Sequence, residues 1–301
     1  MKLIESSVTI IPQETGLIGA YKQIEIAGRT CYKSEDKIED GSAKKMVDFL
    51  VKRGHGSPLE HGTIYLKMFM GYGGGPYECY KENKYSKVNT HDGYAYITTN
   101  ARVITENDWT EDLKYICDPT DYHEKRITVR FICSRSIANE IVRHRVFSFC
   151  QESQRYVNYS LDKFGNEITF VLPQWAIDRT NEVADTYDPL TKSKRYYLMD
   201  MPILEAVTKH MVCEDRAISN WIDSLKRAES DYFYLMSDEC GLKPQEARGV
   251  LPNDCKTDIV VTGFVSDWKH FFTLRCAPSA HPDVRILANN LKCMFIKNKI
   301  M

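Results

Sequence analysis

Apolar positions along this chain switch between a period of two and a period near three and a half, which predicts strands alternating with helices. Residues 2–11 alternate loosely enough for a strand. Ala43 to Lys52 sets Met46, Phe49, Leu50 and Val51 along one side of a helix, and Gly54 supplies its stop. Ile64 to Met70 has strand character and is broken by Gly71-Tyr72-Gly73-Gly74-Gly75-Pro76. Tyr94 to Thr98 predicts a strand, Asp108 to Cys117 a short helix, and Ile127 to Ile132 a cleanly alternating strand. Ser134 or Ser136 then caps a helix with Ile137, Ile141 and Val142 inward. That helix delivers Arg143, His144 and Arg145 at its far end.

Residues 202–240 predict two helical segments. Ile218, Trp221, Ile222, Leu225, Ala228, Tyr232 and Leu235 recur at spacings of three and four, and Gly241 ends the second segment. Such a stripe is core or oligomer interface. Pro244 opens a short helix presenting Arg248. Ser266 is expected to cap a helix through Leu274 and Arg275, and Pro282 to open a last helix with Val284, Leu287, Leu291 and Met294 inward. No internal repeat or Gly/Ser/Pro-rich linker divides the chain. The expectation is one α/β domain of α+β type over residues 1–301, a central mainly antiparallel sheet flanked by helices, elaborated at about 71–126.

Composition adds limits rather than a function. With 43% hydrophobic and 27% charged residues the chain reads as an ordinary globular protein. A formal net charge of −1 removes any global case for nucleic acid or an anionic membrane, so an anion site must be local. The ten cysteines show no C-x-x-C pair and no metal-type spacing, which points to reduced thiols. Lacking an apolar signal core and any run of transmembrane length, the sequence is expected to be cytoplasmic.

The candidate chemistry is concentrated in Arg143-His144-Arg145-Val146-Phe147-Ser148-Phe149-Cys150-Gln151-Glu152-Ser153-Gln154-Arg155-Tyr156. Arginine forks match phosphate oxygens and stay charged at physiological pH, and serine hydroxyls and backbone amides fill the remaining acceptor sites. The run suits a phosphate or pyrophosphate. Competing readings of single residues are weaker. Ser153 lacks a G-x-S-x-G elbow. The glycine run at 71–76 lacks the Lys-Ser/Thr of a phosphate loop. Cys150 lies among arginines that could favour a thiolate. Glu140 lies one turn before Arg143 and can either pair with it or reach a ligand beside it.

The order R-H-R, two residues, S, four residues, S, one residue, R-Y resembles the signature of the flavin-dependent thymidylate synthases. Ala27 to Tyr32, Gly54 to Thr63, Pro244 to Arg248 with Leu251-Pro252, and Thr262-Gly263 through Leu274-Arg275 are similar to further blocks of that family, in family order. The resemblance implies reductive methylation of dUMP to dTMP with FAD, NADPH and 5,10-methylenetetrahydrofolate, in a homotetramer with shared sites. It implies no cysteine adduct on the enzyme, so the protein's task is to position, polarise and exclude water. Arg275 is implied to activate the uracil, with a helix-end arginine as the plain alternative. His61 is implied as a site residue, with a structural histidine nearly as good a reading. Glu140, Arg143, Gln151, Glu152, Ser153, Gln154, Arg155, Arg248 and Arg275 are implied for dUMP. Thr63, Arg143, His144, Arg145, Gln151 and His270 are implied for FAD. The chain departs from the pattern at Phe264-Val265-Ser266, where many members carry N-x-R against the adenosine end of the flavin, and Asn100 with Arg102 is the substitute to test. Alternative functions are a flavin enzyme modifying another pyrimidine nucleotide, or a non-catalytic nucleotide- or RNA-binding homologue.

Overall fold

The computed structural model describes residues 1–71, 75–161, 164–185 and 216–301. The expected first strand divides at Glu5-Ser6 into β1 (Lys2–Ile4) and β2 (Ser7–Ile11). Helix α1 (Gly16–Tyr32) follows, an element absent from the pattern-based expectations, then α2 (Ser42–Arg53) and the single turn α3 (Gly56–Leu59). Strand β3 (Thr63–Phe69) leads into the elaboration, built of helix α4 (Glu78–Glu82), strands β4 (Lys87–His91) and β5 (Tyr94–Asn100) and helix α5 (Ala101–Glu106). The helix expected over Asp108 to Cys117 is a 3₁₀ segment, Thr110–Tyr115. After it come β6 (Arg126–Ser134), α6 (Arg135–Ile141), β7 (Ser148–Gln151), β8 (Thr169–Val171) and α7 (Gln174–Asp185). The chain closes with α8 (Arg216–Met236), α9 (Pro244–Ala247), β9 (Lys256–Phe264), α10 (Val265–Arg275) and α11 (Pro282–Lys297). The earlier part of the helical stretch expected at 202–240 lies outside the described residues.

The central sheet is antiparallel throughout, in the order β2-β6-β9-β7. A separate antiparallel sheet, β3-β5-β4, and the parallel pair β1-β8 stand beside it. The expected class, a mainly antiparallel sheet flanked by helices, is the one observed. Val129, Phe131, Ile259 and Val261 of the central sheet pack on Ile137 and Ile141 of α6, Trp268 and Phe271 of α10 and Leu291 of α11, making the largest core. Across the sheet, Cys150 and Val260 pack on Ala27 of α1. The elaboration shares a second core with α1, α2 and β3, around Leu50, Ile64, Leu66 and Ile97, and α8 buries Ile218, Ile222 and Tyr232 against Phe170.

Local rules explain the joints that matter. Ser134 is the cap of α6: its Oγ accepts the Ile137 amide at 3.4 Å, so the turn to helix begins where β6 ends. The expected cap of α10 moves from Ser266 to Phe264, because Asp267 reaches back to accept the Phe264 amide at 3.3 Å. In α11 the inward position is Phe295 rather than Met294, which is half-exposed. No helix among the described residues is long and apolar enough to cross a membrane.

Candidate active site

The Arg143–Phe147 turn is held by a side chain that needs a glycine. Phe147 lies against Trp268, ring centroids 4.4 Å apart, and directly over Gly263. A Cβ on Gly263 would fall 2.1 Å from the Phe147 ring, so any larger residue would expel the phenyl group. The Thr262-Gly263 pair of β9 thus pins the arginine-bearing turn between α6 and β7.

Helices α6 and α10 run back over the same face of the sheet, and their ends meet. The Arg275 Nε donates to His144 Nε2 at 2.8 Å, one terminal nitrogen donates to the Glu140 carboxylate at 2.6 Å, and the other to the Glu140 carbonyl at 2.8 Å. Burial, the Arg275 charge and His270 hold His144 down at about 4. The ring is therefore neutral near pH 7 and accepts from Arg275 through Nε2. A guanidinium carries five N–H groups. Three are engaged here, which leaves two for a ligand.

Arg143 and Arg145 are exposed on this turn, and Arg155 is exposed after β7, while Arg248 is half-buried after α9. None of the four forms an ion pair among the described residues, whereas Arg29, Arg102, Arg130 and Arg275 all do. The Arg155 guanidinium stands 5.4 Å from the neighbouring Tyr156 ring centre. Four unanswered guanidinium groups are the donor set that phosphate and pyrophosphate oxygens require. His270 is exposed on α10 beside His144. Among the described residues, no hydrogen bond or ion pair joins Arg155 or Arg248 to Arg275.

The segment from Gln151 to Arg155 is fixed by its surroundings. Gln151 donates to Thr257 Oγ1 at 3.1 Å, and the Ser153 amide donates to the Cys31 carbonyl at 3.1 Å. Gln154 is buried, and its amide nitrogen has no partner among the described residues. The expectation that Glu152 faces a nucleotide meets an obstacle. Its carboxylate is 2% exposed, held by Lys256 at 2.8 Å and by the Tyr159 hydroxyl at 3.2 Å. It belongs to a buried network with Lys33, Arg130 and Asp258. Burial opposes ionisation of Asp258, yet its hydrogen bond from Arg130 and the charges of Lys33 and Lys256 pull it down to about 2. Glu152 is thus engaged in holding its own loop.

His61, expected as a site residue with a structural histidine as the alternative, lies beneath the surface and makes one side-chain hydrogen bond, while its Nε2 has no partner among the described residues. Its ring is wholly buried, and Nδ1 shares a 2.8 Å hydrogen bond with Thr262 Oγ1, which in turn meets Thr128 Oγ1 at 2.8 Å. Burial and the charge of Arg126 lower it to about 3, so the ring is neutral near pH 7. Thr63 is buried as well: Gln13 brackets its backbone, and its Oγ1 lies 3.4 Å from Arg126. Cys150 is a packing residue, since burial drives its thiol far above the ordinary range.

The proposed substitutes for the missing N-x-R are committed elsewhere. Asn100 caps α5 by accepting the Val103 amide at 3.1 Å, and Arg102 is held by Glu60 at 2.6 Å and Glu106 at 2.7 Å. Lys87 of β4 is a cation that reaches the departing positions, beside Glu124, which accepts from Ser266. The Lys87 Nζ donates to Ser266 Oγ at 2.8 Å and stands 4.5 Å from the Phe264 ring centre. Sequence reasoning passed over Lys87 because nothing in its local pattern points across the chain to residue 266.

Residues 17–70 and 123–298 match the family model described as thymidylate synthase complementing protein. The chain belongs to that family. The unmatched stretch, residues 71–122, is the part that carries α4, β4, β5 and α5. Among curated members, the flavin-dependent thymidylate synthase of Pyrococcus furiosus is 30% identical over 156 residues, covering 52% of this chain and 48% of that protein. That of Clostridium tetani is 30% identical over 159 residues, covering 52% and 53%. That of Mycobacterium avium is 25% identical over 288 residues, covering 94% and 78%. The chain thus spans about half the length of the first two relatives and most of the third. A solved UMP/dUMP methylase, PolB from Streptomyces cacaoi bound with 5-Br dUMP, covers 99% of this chain and 93% of its own, at 16% identity and a TM-score of 0.43. That likeness is too loose to carry an argument about the site.

Proposed function

We propose that this family member converts dUMP to dTMP, with FAD as cofactor and NADPH and 5,10-methylenetetrahydrofolate as co-substrates. The observation that carries the reading is the Arg275 clamp. A guanidinium fixed on Glu140 and His144 with two N–H groups spare is pre-organised to meet the N3–C2=O edge of a uracil ring. Negative charge that builds on the pyrimidine is stabilised there without a protein nucleophile. The four unpaired arginines support the anionic partners. Arg155 and Arg248, with Ser153 and the amides from Glu152 to Arg155, are assigned to the dUMP phosphate. Arg143 and Arg145 flank the neutral His144, a donor set that fits the flavin pyrophosphate, and Gln151 and His270 complete the same side.

When bound, FAD supplies the hydride chemistry that no side chain here can provide. The chain's own residues bind, orient and polarise. No hydrogen bond joins Arg155 to Arg275 among the described residues of one chain, and we propose a homotetramer whose sites draw on several subunits. Mixing Arg155→Ala and Arg275→Ala chains tests this: partial recovery of activity is expected, and no recovery in verified mixed oligomers sinks the shared site.

The function itself is tested by incubating flavin-loaded protein with dUMP, NADPH and methylenetetrahydrofolate and assaying dTMP by chromatography. Folate-dependent dTMP is expected. A yellow, folded protein that consumes NADPH yet forms no dTMP contradicts the reading and favours another pyrimidine nucleotide.

A further inference from the structure

A cavity of about 540 Å³ lies at the β2 edge of the central sheet, and none of the Arg275 clamp residues lines it. It is closed by the β2–α1 connection, the start of β6, the end of α11, and Ile116, Cys117 and Pro119 of the segment outside the family match. Its volume is in the range of pockets that enclose small organic ligands. The walls are mostly apolar, with Ile10, Ile127, Met294 and Ile300 among them, and the charged groups are Lys125, Arg126 and Glu14, the last paired with Lys22.

Arg126 is the informative residue. It is 9% exposed, yet no carboxylate contacts it. Its terminal nitrogens reach only neutral acceptors, the Glu60 carbonyl at 2.9 Å, Thr63 Oγ1 at 3.4 Å and Ser148 Oγ at 3.1 Å, and its Nε has no partner among the described residues. The neighbouring carboxylates are taken: Glu60 by Arg102, Asp267 by the Phe264 amide and Glu14 by Lys22. A buried cation without a counter-charge is costly and calls for an anion. Lys125, exposed beside it, forms no ion pair among the described residues.

We infer that this cavity is a second binding site, taking a small organic anion whose apolar body fills the pocket and whose acidic group meets Lys125 and Arg126. Its argument is independent of the dUMP reading. Arg126 also holds Ser148, three residues after Arg145, so an occupant sits one side chain from the arginine-bearing turn.

The test uses flavin-loaded full-length protein and 1-anilinonaphthalene-8-sulfonate, an aromatic monoanion, read by fluorescence. Saturable binding at one site per chain is expected, unaffected by saturating dUMP. Thr15→Trp, which fills the mouth of the cavity, weakens it at least about tenfold, and Lys125→Gln about threefold. The neutral N-phenyl-1-naphthylamine binds about tenfold more weakly. Flavin absorbance and melting temperature verify that each variant folds. Binding unchanged in both variants, equal affinity for the neutral compound, or displacement by dUMP each overturns the proposal.

Discussion

Glu140 holds Arg275 at two points, its carboxylate on one terminal nitrogen at 2.6 Å and its backbone carbonyl on the other at 2.8 Å. The pair joins the end of a helix that follows β6 to the end of a helix that follows β9, so sheet geometry sets the aim of the guanidinium. A carboxylate against an activating cation has a second effect: it damps the positive potential that the uracil would meet. Positioning and damping oppose each other, and kinetics separates them. Glu140→Ala is expected to lower kcat about tenfold to a hundredfold with a smaller change in KM for dUMP, because Arg275 loses its aim. Glu140→Gln keeps a hydrogen bond and is expected to recover most of that loss. Equal losses in the two variants would show that the charge, rather than the hold, matters.

Arg155 is exposed and forms no ion pair among the described residues, so its removal should report on ligand binding. Arg155→Ala is predicted to raise KM for dUMP about tenfold to a hundredfold, the worth of a charge-assisted hydrogen bond, while the melting temperature stays within about 2 °C of the wild type. Isothermal titration with dUMP checks both affinity and salt dependence. An unchanged Kd would remove Arg155 from the phosphate site.

The buried network around Asp258 makes a stability prediction. Asp258 is 1% exposed and its folded-state value of about 2 lies below the ordinary 3.8. Its contribution is therefore present above pH 3.8 and is lost as pH falls towards 2, on the order of 2 kcal/mol. Asp258→Asn leaves Lys33 and Arg130 short of a counter-charge and is expected to cost about 3–5 kcal/mol in urea unfolding at neutral pH. A loss below about 1 kcal/mol would contradict the network's importance.

His61 predicts acid sensitivity in a milder window. A ring held at about 3 when folded takes up a proton near 6.5 only when unfolded, so the unfolded chain binds more protons between those values and stability falls as pH drops below 6.5. Between pH 6.5 and 5 the expected loss from His61 is about 2 kcal/mol. Melting curves at the two pH values should show a smaller difference in His61→Asn than in the wild type. An identical pH dependence would mean that the ring is accessible and titrates normally.

Much of the fold was legible where apolar periodicity was strong. Strand Arg126–Ser134, its cap at Ser134 and helix Arg216–Met236 follow from alternation, a hydroxyl and a three-four spacing. Helix Gly16–Tyr32 was not, because its buried face is made of Gly19, Ala20, Gln23, Glu25, Ala27, Gly28 and Thr30 beside a single isoleucine, Ile24. Small and polar residues leave no apolar stripe to read. They are buried because Gly28 lets Met46 of α2 approach to where a Cβ would sit, and because Glu25 finds Ser42 and Arg29. The site divides the same way. Arg143, Arg145, Arg155 and Arg275 stand out by their motif. The places of His61, Glu152 and Lys87 depend on partners 201, 104 and 179 positions away, which local pattern cannot reveal.

The most direct test of the central claim follows hydrogen release from the uracil ring. Tritium at C5 of dUMP should appear in water when purified protein is supplied with FAD, NADPH and methylenetetrahydrofolate. It should vanish without the folate, and fall by at least about a hundredfold in Arg275→Ala. Release that persists unchanged in Arg275→Ala, or a folded and flavin-loaded wild type that releases none, would contradict the assignment of this clamp to thymidylate synthesis.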